Sequence, residues 1–450
     1  MKESGEAVDS ATGRAPYLQW AETAFSAAIM ALLAALFSVL YAAFIFSGPL
    51  LDFVKPSYQV FLLGAAVMMA ITCYYSQFRG IYALLQDEAV VILAAVAAGV
   101  SHGASAMAGA GVYPTILTII AVSTIFTGGF FYLLGAFRFG KIIRYVPFSV
   151  TAGFMITIGW LLVHGGLGVG LGMDLEPGSL HMLAEPGNFV LLIATVGFAC
   201  AVEFISRRVR EVFALPLVLT AGMVLFHLVA LLSSYSYPEL AAVGWLLPEG
   251  KDNAHAVNSF WNGLGDVDWN VVASQWRAYI SVALVSALAL LLAVTGLELS
   301  SQQQVDVDIE LRASGVANLV SGLTGGGAGY PDIGVTTMMY QSGAANNKSV
   351  FIAAGICLGL VFFGGSWLGY VPVPFLGGVF LWLGWQLWRE WLFNHGDYLQ
   401  TEDWIAVAAI VVVTIYFGFI AGVLLGVGVG VSLFLIDYSQ VQSVQYVING

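Results

Sequence analysis

Uncharged apolar runs of about twenty residues recur from about residue 21 to about residue 436, and no other feature constrains the fold as much. Each is near the length a helix needs to cross ~30 Å of hydrocarbon. Soluble chains are about 25% charged; this one is 9% charged and 59% hydrophobic over 450 residues, more apolar surface than a soluble core can bury. The sequence therefore predicts an all-α polytopic membrane protein. Spans are predicted at roughly 21–47, 58–75, 88–101, 113–136, 147–168, 189–205, 215–234 and 279–299. A short pair follows at about 313–323 and 332–341, then 350–368, 374–388, 404–418 and 420–436, about fourteen segments in all.

Charge placement gives the orientation. With the N-terminus inside, Lys55, Lys251 and Arg277 fall outside, and the other twelve of the 15 basic residues are cytoplasmic. By the positive-inside tendency both ends of the chain are expected in the cytoplasm. A plasma membrane, bacterial inner membrane in type, is the expected location. Met1 to Ala15 is polar and lacks the charged, apolar and cleavage regions of a signal peptide. The stretch 235–278 is the one sizeable loop, with Trp245, Trp261, Trp269 and Trp276 suggesting helices at the outer interface. The series Trp382, Trp385, Trp388 and Trp391 reads as an anchoring belt at the inner interface. Cys73, Cys200 and Cys357 sit in apolar runs without ligand spacing and read as packing residues. The histidines likewise form no metal-spaced pair, and nothing suggests a nucleic-acid partner.

Two segments break the apolar pattern. Gly325-Gly-Gly-Ala-Gly-Tyr-Pro-Asp-Ile-Gly-Val-Thr-Thr337 is too rich in glycine for a through-going span. Such backbone survives at membrane depth only if buried in protein or lining a cavity. Pro331 suits the first turn of a helix that starts there, presenting unpaired, positively polarised N–H groups. In Leu84-Leu-Gln-Asp-Glu-Ala-Val-Val-Ile-Leu93 a polar cluster opens an apolar helix. These are the third and tenth of about fourteen segments, seven apart. That spacing predicts a 7+7 inverted repeat with a substrate site between two half-helices.

Arg144-Tyr-Val-Pro-Phe-Ser-Val-Thr-Ala-Gly-Phe154, Asp308-Ile-Glu-Leu-Arg-Ala-Ser-Gly-Val-Ala-Asn-Leu-Val-Ser-Gly322, and Ser321 to Thr337 followed by Ser342-Gly-Ala344 occur in this order. Together they resemble the SulP family of anion transporters over most of 21–437. Asp306-Val-Asp-Ile-Glu310, Gly159-Trp-Leu-Leu162 and Phe46-Ser-Gly-Pro49 are similar to a microbial branch that includes yeast vacuolar members. The resemblance implies a core domain at 21–136 and 279–369, and a gate domain at 137–234 and 370–437. A cytoplasmic tail (1–20) and an external loop (235–278) complete the division. It also implies a homodimer and a C-terminal STAS domain, of which 438–450 would be the start. The chain departs from the family at Ala289, where many members carry a glutamate in helix eight, and at Asp332, where many have a small neutral residue.

Ionisable groups at membrane depth are read first as functional. Asp87 and Glu88 open the third segment, and Asp332 the tenth; each can face a solute or cap free N–H groups. Gln86 and Tyr330 can line the same space, with the backbone of Ala89, Ile333 and Gly334 at the two helix starts. Thr336 and Thr337 lie one turn further and can donate hydrogen bonds. Glu298, beside Thr295, either faces the site and carries a proton or meets cytoplasmic water. The leading expectation is a secondary transporter of a small anion of the sulfate, bicarbonate, chloride or dicarboxylate class, working by elevator-like movement. The alternative is an amino acid or other organic solute with proton coupling through Glu298. A membrane sensor or enzyme is the remote reading, since no nucleophile–base pair, metal cluster or P-loop occurs. No cofactor is expected beyond a coupling proton or sodium ion.

Overall fold

Apolar runs with little helical asymmetry become helices, most of them largely buried though Pro186–Ser206 and Phe213–Leu232 are mainly exposed, and the elements follow the predicted segments closely. The structure, a computed structural model, describes residues 16–103, 111–140, 148–173, 175, 180–209, 211–233, 235–248, 260–341, 345–362, 365–394, 401–426 and 428–429. The helices are α1 (Pro16–Ile45), α2 (Val54–Tyr75), α3 (Asp87–Gly103), α4 (Val112–Ala136), α5 (Phe148–Leu171), α6 (Pro186–Ser206) and α7 (Glu211–Leu232). They continue with α8 (Trp276–Ser301), α9 (Val307–Leu323), α10 (Ile333–Gln341), α11 (Asn347–Phe362), α12 (Val373–Trp388) and α13 (Thr401–Phe417). Among the described residues, α1, α2 with its 3-10 lead-in, and α4 to α8 are each long and apolar enough to cross a membrane. Residues 427 and 430–436 of the predicted fourteenth segment, the tail at 1–15, the motif residues 144–147 and 342–344, and the rest of the chain end to 450 lie outside the described residues.

Boundaries moved where caps decided them. Segment nine begins at Val307, six residues earlier than predicted, because the Asp306 side chain accepts the Asp308 N–H at 2.9 Å. Segment eleven stops at Phe362, and a 3-10 turn over Ser366–Tyr370 follows. Short helices at Tyr237–Ala242 and Trp269–Ser274 occupy the long loop, the first closed by a capping box between Ser236 and Glu239.

Two packing groups emerge. α4 lies along α9 and α8, α2 along α11 and α9, and α1 along α11 and α2. The other group pairs α12 with α5 and α6, α13 with α5, and α6 with α7. The pairings α2–α11 and α4–α9 exchange roles between halves of the chain, as do α5–α13 and α6–α12, which is the signature of the predicted inverted repeat.

Two three-residue strands join the halves. β1 (Ala83–Leu85) pairs antiparallel with β2 (Gly329–Pro331), matching Ala83 with Pro331, Leu84 with Tyr330 and Leu85 with Gly329. Each strand leads directly into a half-helix, β1 into α3 and β2 into α10. The glycine-rich composition follows from this crossing: a side chain at Gly329 would collide with the Leu84 carbonyl, and one at Gly64 would lie 2.7 Å from Gly326 Cα. Buried Asn318 holds β2 from behind, its Nδ2 donating to the Gly329 carbonyl at 2.7 Å and its Oδ1 accepting the Gly329 N–H at 2.9 Å.

At the opposite end of α9 the acidic motif is structural. Asp308 Oδ1 accepts the Gly140 N–H at 2.9 Å, and fully buried Glu310 accepts from Ser76 Oγ at 2.7 Å and the Gln77 N–H at 2.8 Å. These acids fasten the turns after α4 and α2 to the start of α9.

Candidate functional site

The strand pair sets the two half-helix starts side by side. Gln86 donates its N–H to the Ala328 carbonyl at 3.2 Å and its Nε2 to the Tyr330 carbonyl at 3.1 Å. In the other direction the Asp332 N–H donates to the Tyr82 carbonyl at 2.8 Å, and the Tyr82 N–H to Thr336 Oγ1 at 3.1 Å. A cavity of about 240 Å³ lies against these starts. It is lined by Gln86, Glu88, Tyr330, Asp332, Ile333 and Gly334, by Ala289, Leu292 and Ala293 of α8, by Met155 of α5, and by Trp391. The three α8 residues are spaced i, i+3 and i+4 and present one apolar face. The cavity thus lies between the two packing groups.

Its acids are held in different ways. Asp87 Oδ1 accepts the Tyr41 hydroxyl of α1 at 2.5 Å, which turns it away from the cavity lining. Asp332 Oδ1 accepts the Val335 N–H at 2.7 Å, so it caps α10 while lining the cavity. Glu88 Oε1 accepts the Tyr330 hydroxyl at 2.9 Å; Glu88 is 9% exposed, and its Oε2 has no hydrogen-bond partner among the described residues. Among the described residues no Lys, Arg or His lines the cavity.

Six of the expected residues, Gln86, Glu88, Tyr330, Asp332, Ile333 and Gly334, therefore meet at one cavity. The others stand around it. Ala89 is buried in the first turn of α3. Thr336 is buried and bonded to Tyr82, Thr337 Oγ1 donates to Ser300 Oγ at 3.0 Å, and Thr295 returns its hydroxyl to the Leu291 carbonyl at 2.9 Å. Glu298 Oε1 accepts the Val305 N–H at 3.1 Å, beyond the end of α8, and is not part of the lining.

The tryptophan series differs from a belt. Trp382 is buried and donates to Glu203 Oε2 at 3.3 Å, Trp388 donates to the Ile156 carbonyl at 3.1 Å, and Trp391 reaches the cavity. The helix turns into a π-helical stretch over Arg389–Asn394, and the wider turn displaces Trp391 from the regular three-residue spacing. Met155, Leu292 and Ala293 were not singled out from sequence, and Trp391 was read only as part of the belt; apolar lining residues look like any other apolar residues in a chain of this composition.

Residues 24–410 match the sulfate permease family. The vacuolar basic amino acid transporter VSB1 of Saccharomyces cerevisiae is 24% identical over 354 residues, 75% of this chain and 33% of that protein. The bicarbonate transporter BicA of Synechocystis is 24% identical over 72% of this chain and 57% of its own length. The chain thus spans between a third and somewhat over half of these relatives. Among solved structures, the transmembrane domain of a cyanobacterial BicA matches with a TM-score of 0.62 at 18% identity, covering 90% of this chain and 98% of that one. Murine Solute Carrier 26 family member A9, an anion transporter captured inward-facing, matches with a TM-score of 0.66 at 13% identity, over 93% and 68%. At these identities the likeness is one of fold.

Proposed function

This chain belongs to the sulfate permease family, and we propose that it is a secondary transporter holding a small solute between the starts of α3 and α10. The observation that carries the reading is the β1–β2 pairing, which puts two half-helix starts on one cavity between two packing groups. In this reading α1–α4 with α8–α11 form the core, the remaining helices form the gate, and the core moves against the gate to expose the solute on either side. The family name and the BicA relative support a small anion of the sulfate, bicarbonate, chloride or dicarboxylate class. A second reading, an amino acid or related organic solute, is supported by the acidic lining of the cavity and by the name of the yeast relative. A carrier, rather than an enzyme, is the reading in both cases. A homodimer with both ends in the cytoplasm completes it.

Uptake of labelled sulfate, bicarbonate, chloride, dicarboxylates and amino acids into proteoliposomes, with and without a pH gradient, tests the reading. Uptake of none of them would overturn it. Gly334 lines the cavity, and a Cβ there meets only Asp332 Oδ1 at 3.5 Å. Gly334→Val is therefore expected to cut uptake by about tenfold or more through bulk in the site, while the melting midpoint in detergent stays near wild type. Unchanged uptake would put the solute elsewhere. A cysteine label near Asp252 is expected to react from outside intact cells, and one near Lys348 only after permeabilisation; the reverse pattern would invert the topology.

A further inference from the structure

We propose that the solute carries a protonated amine, and that this ammonium and a proton compete for Glu88 Oε2. The proposal rests on the carrier reading and deepens it. Most of the acidic groups at the site already have a donor. Asp87 has the Tyr41 hydroxyl, Asp332 the Val335 N–H, and Glu88 Oε1 the Tyr330 hydroxyl. Among the described residues that line the cavity, Glu88 carries the one buried carboxylate oxygen with no donor, Oε2.

Among the described residues, none of those lining the cavity around Glu88 supplies a cation. α8 contributes Ala289, Leu292 and Ala293, α5 contributes Met155, and α10 brings the further acid Asp332. The π-helical stretch brings Trp391, while its Arg389 is bound to Glu203 of α6 at 3.0 Å and to Gln386 of α12. A buried carboxylate without a counter-charge is unstable, and a carboxyl group escapes that condition by taking a proton or a cation. An anion would meet repulsion from Asp332 and, whenever it is unprotonated, from Glu88 in the same small space. It would also find the start of α10 already serving Asp332, the chain's own anion, at the position where a helix terminus would attract one.

An ammonium fits what remains. It has three donors and no acceptor, and the aromatic rings of Trp391 and Tyr330 border the same cavity. Because Oε2 binds one partner at a time, loading is an exchange: the protonated carboxyl releases its proton as the ammonium docks, and the reverse step returns it. The solute and the proton therefore cross in opposite directions.

The test uses the purified full chain with L-lysine and sulfate as probes. Lysine is expected to bind, more tightly as pH rises, because protons leave Glu88. Glu88→Gln, which keeps an acceptor for the Tyr330 hydroxyl, is expected to weaken lysine binding by about tenfold or more and to flatten its pH dependence. Glu88→Asp, a variant that keeps the charge, is expected to bind lysine less tightly but with the pH dependence intact. Lysine affinity unchanged in Glu88→Gln would overturn the proposal. So would sulfate or bicarbonate uptake without lysine uptake, an outcome that leaves the carrier reading standing. Uptake of no probe at all would remove the carrier reading itself.

Discussion

Asn318→Ala is expected to abolish uptake and to destabilise the protein in detergent by about 3 kcal/mol or more. Asn318 is fully buried and makes three hydrogen bonds, two to both backbone groups of Gly329 and one, at 2.7 Å, to the Ser314 carbonyl. Alanine removes all three and fills none of the space. Two backbone groups of β2 then lose their partners at membrane depth, where water cannot replace them. β2 sets the position of Tyr330 and Asp332, so uptake fails together with stability. Thermal challenge followed by size-exclusion chromatography measures the first effect and proteoliposome uptake the second. Asn318→Asp keeps the acceptor for the Gly329 N–H and is expected to fall between the two. A wild-type melting profile for Asn318→Ala would mean that the strand ladder alone holds Gly329.

How far the site could be read beforehand depended on the kind of residue. Gly325 to Pro331 announced itself because glycine and proline conflict with a spanning helix, and the matching polar cluster at Gln86 to Glu88 stood out against apolar neighbours. The strand pairing that makes both breaks one structure was not visible, since three-residue strands have no periodicity. The hydroxyls were also ambiguous. Whether Thr336 faces a solute or Tyr82 depends on a partner 254 residues away, and the Tyr41–Asp87 bond spans 46. Glu298 illustrates the same limit: its position near a helix end was legible, but its engagement with Val305 depends on how the chain turns after Ser301. The belt reading of the tryptophans failed because it assumed a regular helix through Trp391, and the wider π turn begins at Arg389.

Glu310→Ala is the second change with a large expected effect. It strips the acceptor from half-buried Ser76 Oγ and from the N–H of exposed Gln77, and leaves a void where a fully buried side chain stood. Water can reach Gln77 and part of Ser76, so destabilisation of about 1–3 kcal/mol in all is expected. Glu310→Gln retains one acceptor oxygen and should recover part of it. The effect is on folding yield and melting, because Glu310 is not among the cavity residues. Variant protein that folds normally but no longer takes up solute would point instead to a direct role in transport.

The ladder between β1 and β2 has a thermodynamic consequence for a carrier. Its hydrogen bonds cross from one half of the chain to the other, so the two half-helix starts are tied to each other rather than each to its own half. In the carrier reading proposed above, a wall built in this way is ferried whole, not taken apart and rebuilt at each crossing. Its own share of the binding energy is then the same whether the site opens inward or outward. Any difference in affinity between the two faces would come from Met155 and Trp391, which the other packing group brings to the cavity. Counterflow assays that load solute from either face, at zero voltage and equal pH, measure that difference as the ratio of the two half-saturation constants.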